Sequence, residues 1–196
     1  MPLDPPAPRV VVFAGPNGAG KSTHADAILG ALGIPTFVNA DCIARGLAGQ
    51  RTETVAFAAG RIMHNRLREL AQARADFAFE STLSSRSFHP FLLRLKERGY
   101  HVAIYYFVLS SSRLAQRRVK HRVALGGHDV PADVTKRRFG RSLRNFLQLY
   151  AGVADEWMVF DNSSGHTAQT VAHLTHGQQT IEDTALWRKL QTMARD

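Results

Sequence analysis

A glycine-rich turn followed by a lysine and two hydroxyl side chains lies near the start of the chain, in the stretch GPNGAGKST. Its spacing is that of the pattern G-x-x-x-x-G-K-[ST], which is typical of phosphate-binding loops. Glycines let consecutive backbone amides turn inward around phosphate oxygens, and the following helix adds the positive end of its dipole. The sequence therefore predicts an ATP site made by these residues: Gly15, Pro16, Asn17, Gly18, Ala19, Gly20, Lys21, Ser22 and Thr23.

The polar residues at the end of this loop have distinct expected roles. The Lys21 ammonium would reach the β- and γ-phosphates, the Ser22 hydroxyl would bind Mg²⁺, and Thr23 would lie near the α-phosphate. A valine-rich run at residues 9–14 precedes the loop and a helical pattern follows it, which is the context that the motif requires. We therefore expect ATP and Mg²⁺ as cofactors.

Two carboxylates follow the second and third predicted strands. Asp41 stands in FVNAD and Glu80 ends the apolar run DFAFE, so both should lie beside the phosphate loop at the carboxyl ends of parallel strands. Asp41 could accept the proton of a substrate hydroxyl, with a helix N-cap as the alternative role. Glu80 could bind substrate hydroxyls or a magnesium-bound water, with a buried ion pair to an arginine as the alternative. Thr82 and Arg86 follow in the same loop and could line an acceptor pocket.

Most of the formal net charge of +9 lies within residues 113–144, which hold ten lysines and arginines against two acids. A field so concentrated favours a polyanionic ligand. Two basic helices joined by the loop ALGGHDVPAD predict a lid, at about residues 111–150, that could close over ATP. Arg118 and Arg122 share one helix face at i and i+4, and they are the candidates for contact with the moving phosphoryl group.

The second basic helix and the loop before it supply further candidates. Arg137, Arg141 and Arg144 share one helix face. The candidates for substrate or phosphate contact in this part of the lid are His128, Arg137 and Arg138.

The elements that must position these residues alternate between strand and helix. The predicted strands are 9–14, 36–39, 76–80, 101–109 and 157–160, and the predicted helices are 21–31, 53–74, 88–98, 111–125 and 131–150. This alternation predicts an α/β fold of three layers, with a mainly parallel sheet and helices on both faces. A hairpin across His176 and Gly177 and a final helix at 184–194 would form a C-terminal extension, at about residues 165–196. We expect one P-loop kinase domain over residues 1–196.

Composition and hydropathy limit the cellular compartment and the cross-links that we expect for this protein. The chain has 196 residues, of which 44% are hydrophobic, and one cysteine, so an internal disulfide is excluded. No apolar run approaches the length of a membrane span, and the first nine residues lack the apolar core of a signal peptide. We therefore expect cytoplasmic residence and no membrane partner.

A motor ATPase is the first alternative, because the sequence GPNGAGKST is also common in ABC transporter ATPases. Those domains need an LSGGQ-like signature and a strand that ends in Asp-Glu. This chain has LSSRS and no apolar run ending in Asp-Glu, and it has no NKxD of the GTPase kind. A base, acceptor-binding groups and mobile arginines are the parts that a kinase needs, and all three have candidates here.

Several segments together resemble the zeta toxin family of P-loop kinases, and more narrowly its compact chromosomal branch. In chain order they are GPNGAGKST, FVNADCIARGL, AGRIM, FAFESTLSSRS, GGHDVP, RRFGRSLRNF and FDNSS. The likeness runs through about residues 10–163. The resemblance implies an ATP-dependent kinase that phosphorylates the 3'-hydroxyl of the amino sugar in UDP-N-acetylglucosamine. It also implies an antitoxin protein as a partner.

The resemblance carries over to individual positions. Lys21 and Ser22 match the phosphate and metal residues, and Asp41 matches the catalytic base. Glu80 and Thr82 match acceptor-site residues, and Arg86 matches the arginine just after them. The lid differs in spacing, so Arg118 or Arg122 matches the first lid arginine. His128 stands in the place of the second one, unless Arg137 or Arg138 replaces it.

Three other functions stay open from the residues. The kinase could act on another nucleoside, sugar or metabolite. The basic helices could instead serve a nucleic-acid-binding NTPase or a polynucleotide kinase, although the aromatic residues among these arginines are few, which disfavours nucleic acid. The third function is regulatory ATP binding without transfer.

Overall fold

A seven-stranded sheet runs through the part of the chain that the computed structural model describes, which is residues 6–48, 55–127, 130–165 and 167–195. The strands are β1 (Arg9–Ala14), β2 (Phe37–Val38), β3 (Phe77–Ser81), β4 (His101–Val108), β5 (Glu156–Asp161), β6 (Gln169–Thr175) and β7 (Gln178–Ile181). Their spatial order is β2-β3-β1-β4-β5-β6-β7. The first five in this order are parallel, and β6 and β7 add an antiparallel edge.

Helices cover both faces of this sheet. They are α1 (Lys21–Leu32), α2 (Ala40–Ala48), α3 (Ala56–Gln72), α4 (His89–Glu97), α5 (Ser112–Ala124), α6 (Ala132–Asn145), α7 (Ala151–Val153) and α8 (Thr184–Met193). A π-helical turn (Phe146–Tyr150) continues α6 into α7. The predicted three-layer α/β architecture is confirmed.

The alternation of side chains along β1 divides the core between the two faces. Val10 and Val12 pack with residues of α3, α4 and α8, whereas Val11 and Phe13 pack with residues of α1 and α5. All four side chains are buried, as expected for a central strand of a parallel sheet. This strand therefore holds the loop that follows it at a fixed position above the sheet.

The predicted secondary structure agrees with the observed one at the C-terminal hairpin and differs from it at α2 and α3. The hairpin across His176 and Gly177 is confirmed, since β6 pairs with β7 and both turn residues have positive φ values of 51° and 75°. The helix α2 was not predicted, although Asp41 lies in its first turn. The predicted helix at 53–74 begins at Ala56 in α3, and residues 49–54 lie outside the described residues.

Candidate active site

The phosphate loop links β1 to α1 and has a shape that only glycine allows at its two ends. Gly15 has a φ of 133°, and a Cβ there would lie 2.3 Å from the carbonyl oxygen of Phe107. Gly20 has a φ of 87°, and a Cβ there would lie 2.2 Å from Nδ2 of Asn162. The Asn162 amide also donates to the carbonyl oxygen of Ala19 at 2.9 Å. The loop is therefore held as an open backbone cradle, which fits the phosphate chain of a nucleotide.

Lys21 and Ser22, at the start of α1, both contact Glu80 at the end of β3. The buried Lys21 ammonium donates to the carbonyl oxygen of Pro16 at 3.0 Å and lies 3.4 Å from Oε1 of Glu80. The Ser22 hydroxyl donates to Oε2 of Glu80 at 2.5 Å. The ion pair considered for Glu80 thus exists, but its partner is the loop lysine rather than an arginine. A hydroxyl beside a carboxylate is an oxygen set that suits Mg²⁺.

Asn39, which the sequence analysis missed, makes hydrogen bonds near both carboxylates. Its Oδ1 accepts from the backbone N–H groups of Asp41 and Cys42 at 2.8 and 3.3 Å, so Asn39 caps α2. Its Nδ2 donates to Oε2 of Glu80 at 2.9 Å. The N-cap role considered for Asp41 therefore belongs to Asn39. Asparagine is a common N-cap residue, so the signal was present in FVNAD.

A cavity of about 240 Å³ lies between the phosphate loop, α3 and the end of β3. We call it the acceptor cavity. It brings together five residues that the sequence analysis singled out, which are Asn17, Asp41, Glu80, Thr82 and Arg138. The Asp41 carboxylate makes no hydrogen bond with any described residue, which leaves it available to a ligand.

His64 of α3 also lines the acceptor cavity, and nothing in its sequence context distinguished it. Its ring stacks on Phe88 with centroids 4.8 Å apart and an angle of 18° between the planes. Burial, and next the charge of Arg68, lower the pKa of His64 below its ordinary value of 6.5. The imidazole is therefore neutral at pH 7, and it can both donate and accept a hydrogen bond.

Arg138 of α6 supplies a positive charge to the same cavity. Burial lowers the pKa of Arg138, whereas the negative charge of nearby Asp41 acts in the opposite direction. A guanidinium nevertheless stays protonated in a protein. The acceptor cavity therefore contains a cation near a carboxylate, and that carboxylate makes no hydrogen bond with a described residue.

The other predicted basic residues that the structure describes in the lid and the acceptor loop do not line this cavity. Arg118 lies beside the phosphate loop, next to Gly18, and donates to the carbonyl oxygen of Ser163 at 3.1 Å. Arg122 follows one turn later in α5 and is half-buried. Arg86 is exposed, and Arg137 is exposed and forms an ion pair with Asp133 at 3.9 Å. His128 lies outside the described residues.

The loop after β3 is fastened to α6 and the π-helical turn. We call residues 82–87 the acceptor loop. Four of its consecutive carbonyl oxygens accept hydrogen bonds from side chains of that one helical segment. The pairs are Ser142 to Thr82 at 2.5 Å, Asn145 to Leu83 at 2.8 Å, Arg141 to Ser84 at 2.8 Å and Tyr150 to Ser85 at 2.8 Å. The carboxyl-terminal half of the predicted lid is thus fixed to the acceptor site.

Across the described ranges, no helix is long and apolar enough to cross a membrane. The same residues contain no group of three or more histidine, cysteine, aspartate or glutamate side chains that could hold a metal ion. A magnesium site at Ser22 and Glu80 would therefore depend on the phosphates of a nucleotide for further ligands.

Comparison with known proteins places this architecture among P-loop kinase folds. The crystal structure of AvrRxo1-ORF1 with AvrRxo1-ORF2 and ATP superposes with a TM-score of 0.78 at 16% identity, over 94% of this chain and 63% of that chain. This chain therefore spans less than two thirds of the length of that protein. The PezAT chromosomal toxin–antitoxin system of Streptococcus pneumoniae superposes with a TM-score of 0.63 at 13% identity, over 98% of this chain and 88% of that chain.

Sequence comparison gives the family. A protein of Haemophilus influenzae (strain ATCC 51907 / DSM 11121 / KW20 / Rd), known as an uncharacterized protein, is 29% identical over 131 residues, which are 67% of this chain and 92% of that protein. The profile of the AAA domain family AAA_33 matches residues 10–149. That stretch runs from β1 to the π-helical turn and includes the phosphate loop, both carboxylates and Arg138. The chain therefore belongs to the AAA_33 family of AAA domains, with a P-loop kinase-like fold.

Proposed function

We propose that the protein is an ATP-dependent small-molecule kinase that transfers the γ-phosphate of ATP to a hydroxyl of a nucleotide sugar. UDP-N-acetylglucosamine is the proposed acceptor. One observation carries the proposal. The Asp41 carboxylate, which makes no hydrogen bond in the described part of the chain, lines a cavity that also includes Asn17 of the phosphate loop. A base, a space for an alcohol and a phosphate site therefore adjoin one another.

The two carboxylates would have different roles. Glu80 is already bound to Lys21, Ser22 and Asn39, whereas Asp41 has no hydrogen bond of this kind. When ATP binds, Lys21 would turn from the Pro16 carbonyl to the β- and γ-phosphates. Ser22 and Glu80 would hold Mg²⁺, which neutralises phosphate charge when bound.

The transfer itself would use Asp41 as the general base. Asp41 accepts the proton of the acceptor hydroxyl while the oxygen forms a bond to the γ-phosphorus. The bond from that phosphorus to the bridging oxygen breaks, and ADP leaves. Proton removal of this kind contributes a factor of about 10²–10⁴ to the rate. Arg138 would offset the charge of the phosphoryl group on the acceptor side, and Arg118 would do so beside the phosphate loop.

The similarity to PezAT supports an antitoxin-type protein as a partner, because that structure is described as a toxin–antitoxin system. Such a partner would be expected to cover the phosphate loop or the acceptor cavity, since either would stop transfer. Kinase assays with and without the protein encoded beside this chain would test that proposal.

The direct experiment measures ATP consumption by the purified protein with Mg²⁺ in four reactions. Three of them contain UDP-N-acetylglucosamine, UDP-glucose or single-stranded RNA, and the fourth contains no acceptor. We expect consumption to rise only with a nucleotide sugar, and mass spectrometry to find that sugar carrying one additional phosphate. Stimulation by RNA alone would favour a nucleic-acid-dependent NTPase. Equal consumption in all four reactions, with no phosphorylated product, would contradict the proposal.

A further inference from the structure

Asn17 has a buried side chain that the proposed transfer does not use. It is 8% exposed, its Oδ1 is buried, and its amide makes no hydrogen bond with the rest of the described chain. Buried amides in proteins nearly always have a partner, since leaving one unpaired is costly. Asn17 lines the acceptor cavity, so a ligand in that cavity is the available partner.

His64, which is half-buried, is a second cavity-lining side chain without a hydrogen-bond partner among the described residues. The face of its ring is occupied by Phe88, which leaves the two nitrogens at the ring edge for hydrogen bonding. Neither nitrogen has a partner within the described residues. Because the neutral ring offers one donor and one acceptor, a hydroxyl group can satisfy either nitrogen.

The charges around the cavity restrict what can enter. Asp41 and Glu80 contribute two negative charges, and Arg138 contributes one positive charge. The Lys21 ammonium, 3.4 Å from Oε1 of Glu80, offsets the charge of that carboxylate. His64 adds none at pH 7, because burial and Arg68 lower its pKa. The charges around the cavity therefore nearly balance, which favours an uncharged group over a phosphate or a carboxylate inside it.

The size of the cavity sets a second limit. Sites for drug-sized molecules occupy about 300–1,000 Å³, whereas this cavity has about 240 Å³. A complete nucleotide sugar exceeds that volume, but one of its rings does not. The charged diphosphate would then lie outside the cavity.

We propose that Asn17 and His64 bind hydroxyl groups of a single uncharged sugar-type ring, and that they determine the acceptor specificity of this protein. The inference rests on the proposed function, because it names the part of the acceptor that Asp41 would meet. It assigns Asn17 to the acceptor as well as to the phosphate loop.

The test compares Asn17→Ala, His64→Leu and His64→Gln with the unmodified protein. We expect both Asn17→Ala and His64→Leu to raise the KM for UDP-N-acetylglucosamine about tenfold, the loss expected for one hydrogen bond. In the two His64 variants, the Kd for a non-hydrolysable ATP analogue should change less than twofold. His64→Gln keeps a donor and an acceptor and should restore most of the affinity. Asn65→Ala is the matched control, because Asn65 is exposed on the same helix.

Two results of this comparison would overturn the inference. One is an unchanged acceptor KM in both Asn17→Ala and His64→Leu. The other is an Asn17→Ala variant that loses ATP analogue binding while its acceptor KM stays the same, because Asn17 would then serve the nucleotide alone. Circular dichroism melts of each variant separate these outcomes from misfolding. If Asn17→Ala does not fold, the acceptor KM values of His64→Leu and His64→Gln still test the inference.

Equilibrium binding keeps this test independent of the proposed function. Calorimetry with the ATP analogue and Mg²⁺ present would measure UDP-N-acetylglucosamine, free N-acetylglucosamine, N-acetylglucosamine 6-phosphate and glucosamine. Binding of uncharged rings that is weakened by Asn17→Ala, without any transfer, would support the inference and reject the kinase. Preference for the 6-phosphate or for the cationic glucosamine would reject an uncharged ring, and binding of none of the four would reject the inference.

Discussion

Two carboxylates of similar chemistry are distinguished by what their oxygens contact. Both oxygens of Glu80 face the phosphate loop, through Lys21 and Ser22. The Asp41 oxygens face the acceptor cavity, because Asn39 takes over the capping of α2. Both carboxylates line the acceptor cavity, but Glu80 is bound to the start of α1, whereas Asp41 makes no hydrogen bond with a described residue.

The Asp41→Asn variant tests this division. We expect turnover to fall by about 10²–10⁴, the contribution of a general base, while the Kd for ATP changes little. Steady-state kinetics and analogue binding would measure the two quantities. Glu80→Gln is the matched control, and it should weaken ATP binding in the presence of Mg²⁺. Near-normal turnover in Asp41→Asn would reject Asp41 as the base.

Lys21→Ala should abolish transfer and weaken nucleotide binding together. The buried ammonium is the charge in the cradle that can neutralise the β- and γ-phosphates, and Glu80 would lose its ion-pair partner. Nucleotide titration and a kinase assay would measure both effects. If nucleotide binding survived unchanged, the phosphates would lie elsewhere.

At the scale of elements, α6 and the acceptor loop form one unit. Four side chains of the helical segment hold four consecutive carbonyl oxygens of the loop, and Arg138 lies one turn earlier in α6. The sequence analysis placed Arg141 on a lid face shared with Arg137 and Arg144, but its guanidinium binds the Ser84 carbonyl. The carboxyl-terminal part of α6 is therefore fastened to the acceptor loop.

Asn145→Ala should loosen the acceptor loop. The Leu83 carbonyl would lose its donor within a buried site, which typically costs about 1–3 kcal/mol of stability. We expect a several-fold higher acceptor KM and an unchanged Kd for ATP. Gln148→Ala is the control, since Gln148 is exposed one turn later and donates to Ala194 instead. A rise in KM for both variants alike would argue against a specific role of the clamp.

Tyr150→Phe tests the last hydrogen bond of the clamp with less disturbance. Burial raises the pKa of Tyr150 to about 12, so its hydroxyl stays a donor to Ser85 throughout the pH range of an assay. Because only the hydroxyl is removed, we expect a lower melting temperature and a modest rise in acceptor KM. A variant identical to the unmodified protein in both measurements would show that this bond is dispensable.

At the scale of the molecule, the C-terminal extension is part of the main core. Trp187 of α8 stacks on Trp157 of β5 with centroids 5.6 Å apart, and Leu190 is buried beside it. The terminal helix therefore closes the face of the sheet that also holds α6 and, through α6, the acceptor loop.

Leu190→Ala should lower the free energy of unfolding by about 2–5 kcal/mol, as is usual for a cavity left in a packed core. Urea denaturation followed by circular dichroism would measure it. Leu93→Ala, at a side chain that is 42% exposed, should cost less than about 0.5 kcal/mol. Equal effects of the two changes would mean that α8 contributes little to the fold.

Asp155 makes the stability of the fold depend on pH. Burial alone would raise its pKa, but the backbone N–H of Val102 at 2.8 Å and the Lys96 ammonium at 2.9 Å outweigh burial and lower it below 3.8. A carboxylate with a depressed pKa in the folded state stabilises the protein fully above its unfolded value, and this stabilisation is lost as the pH falls through the folded value.

Asp155→Asn should therefore lower the urea midpoint at pH 7, and the difference from the unmodified protein should shrink below about pH 4. Denaturation curves at pH 7, 4 and 3 would measure it. A difference that stays constant over this range would show that the charge of Asp155 is not responsible.

Local sequence patterns were sufficient to predict the phosphate loop, the buried strands and the terminal hairpin. Glycine spacing, valine runs and turn residues act over a few neighbours, so they can be read along the chain. The same patterns predicted that Asp41 and Glu80 lie near the loop, because parallel strands end at one edge of a sheet. The helix α2 was missed, and with it the capping role of Asn39.

The sequence by itself determined the fold class, the phosphate cradle and the residue types of the site. Only the tertiary structure decided which of them meet: that Lys21 pairs with Glu80, that Asn17 and His64 face one cavity, and that Arg138 lines it while Arg86 and Arg137 do not. The physical reason is distance along the chain. These contacts join residues on different elements, and their geometry depends on how the helices pack across the sheet, which no local pattern encodes.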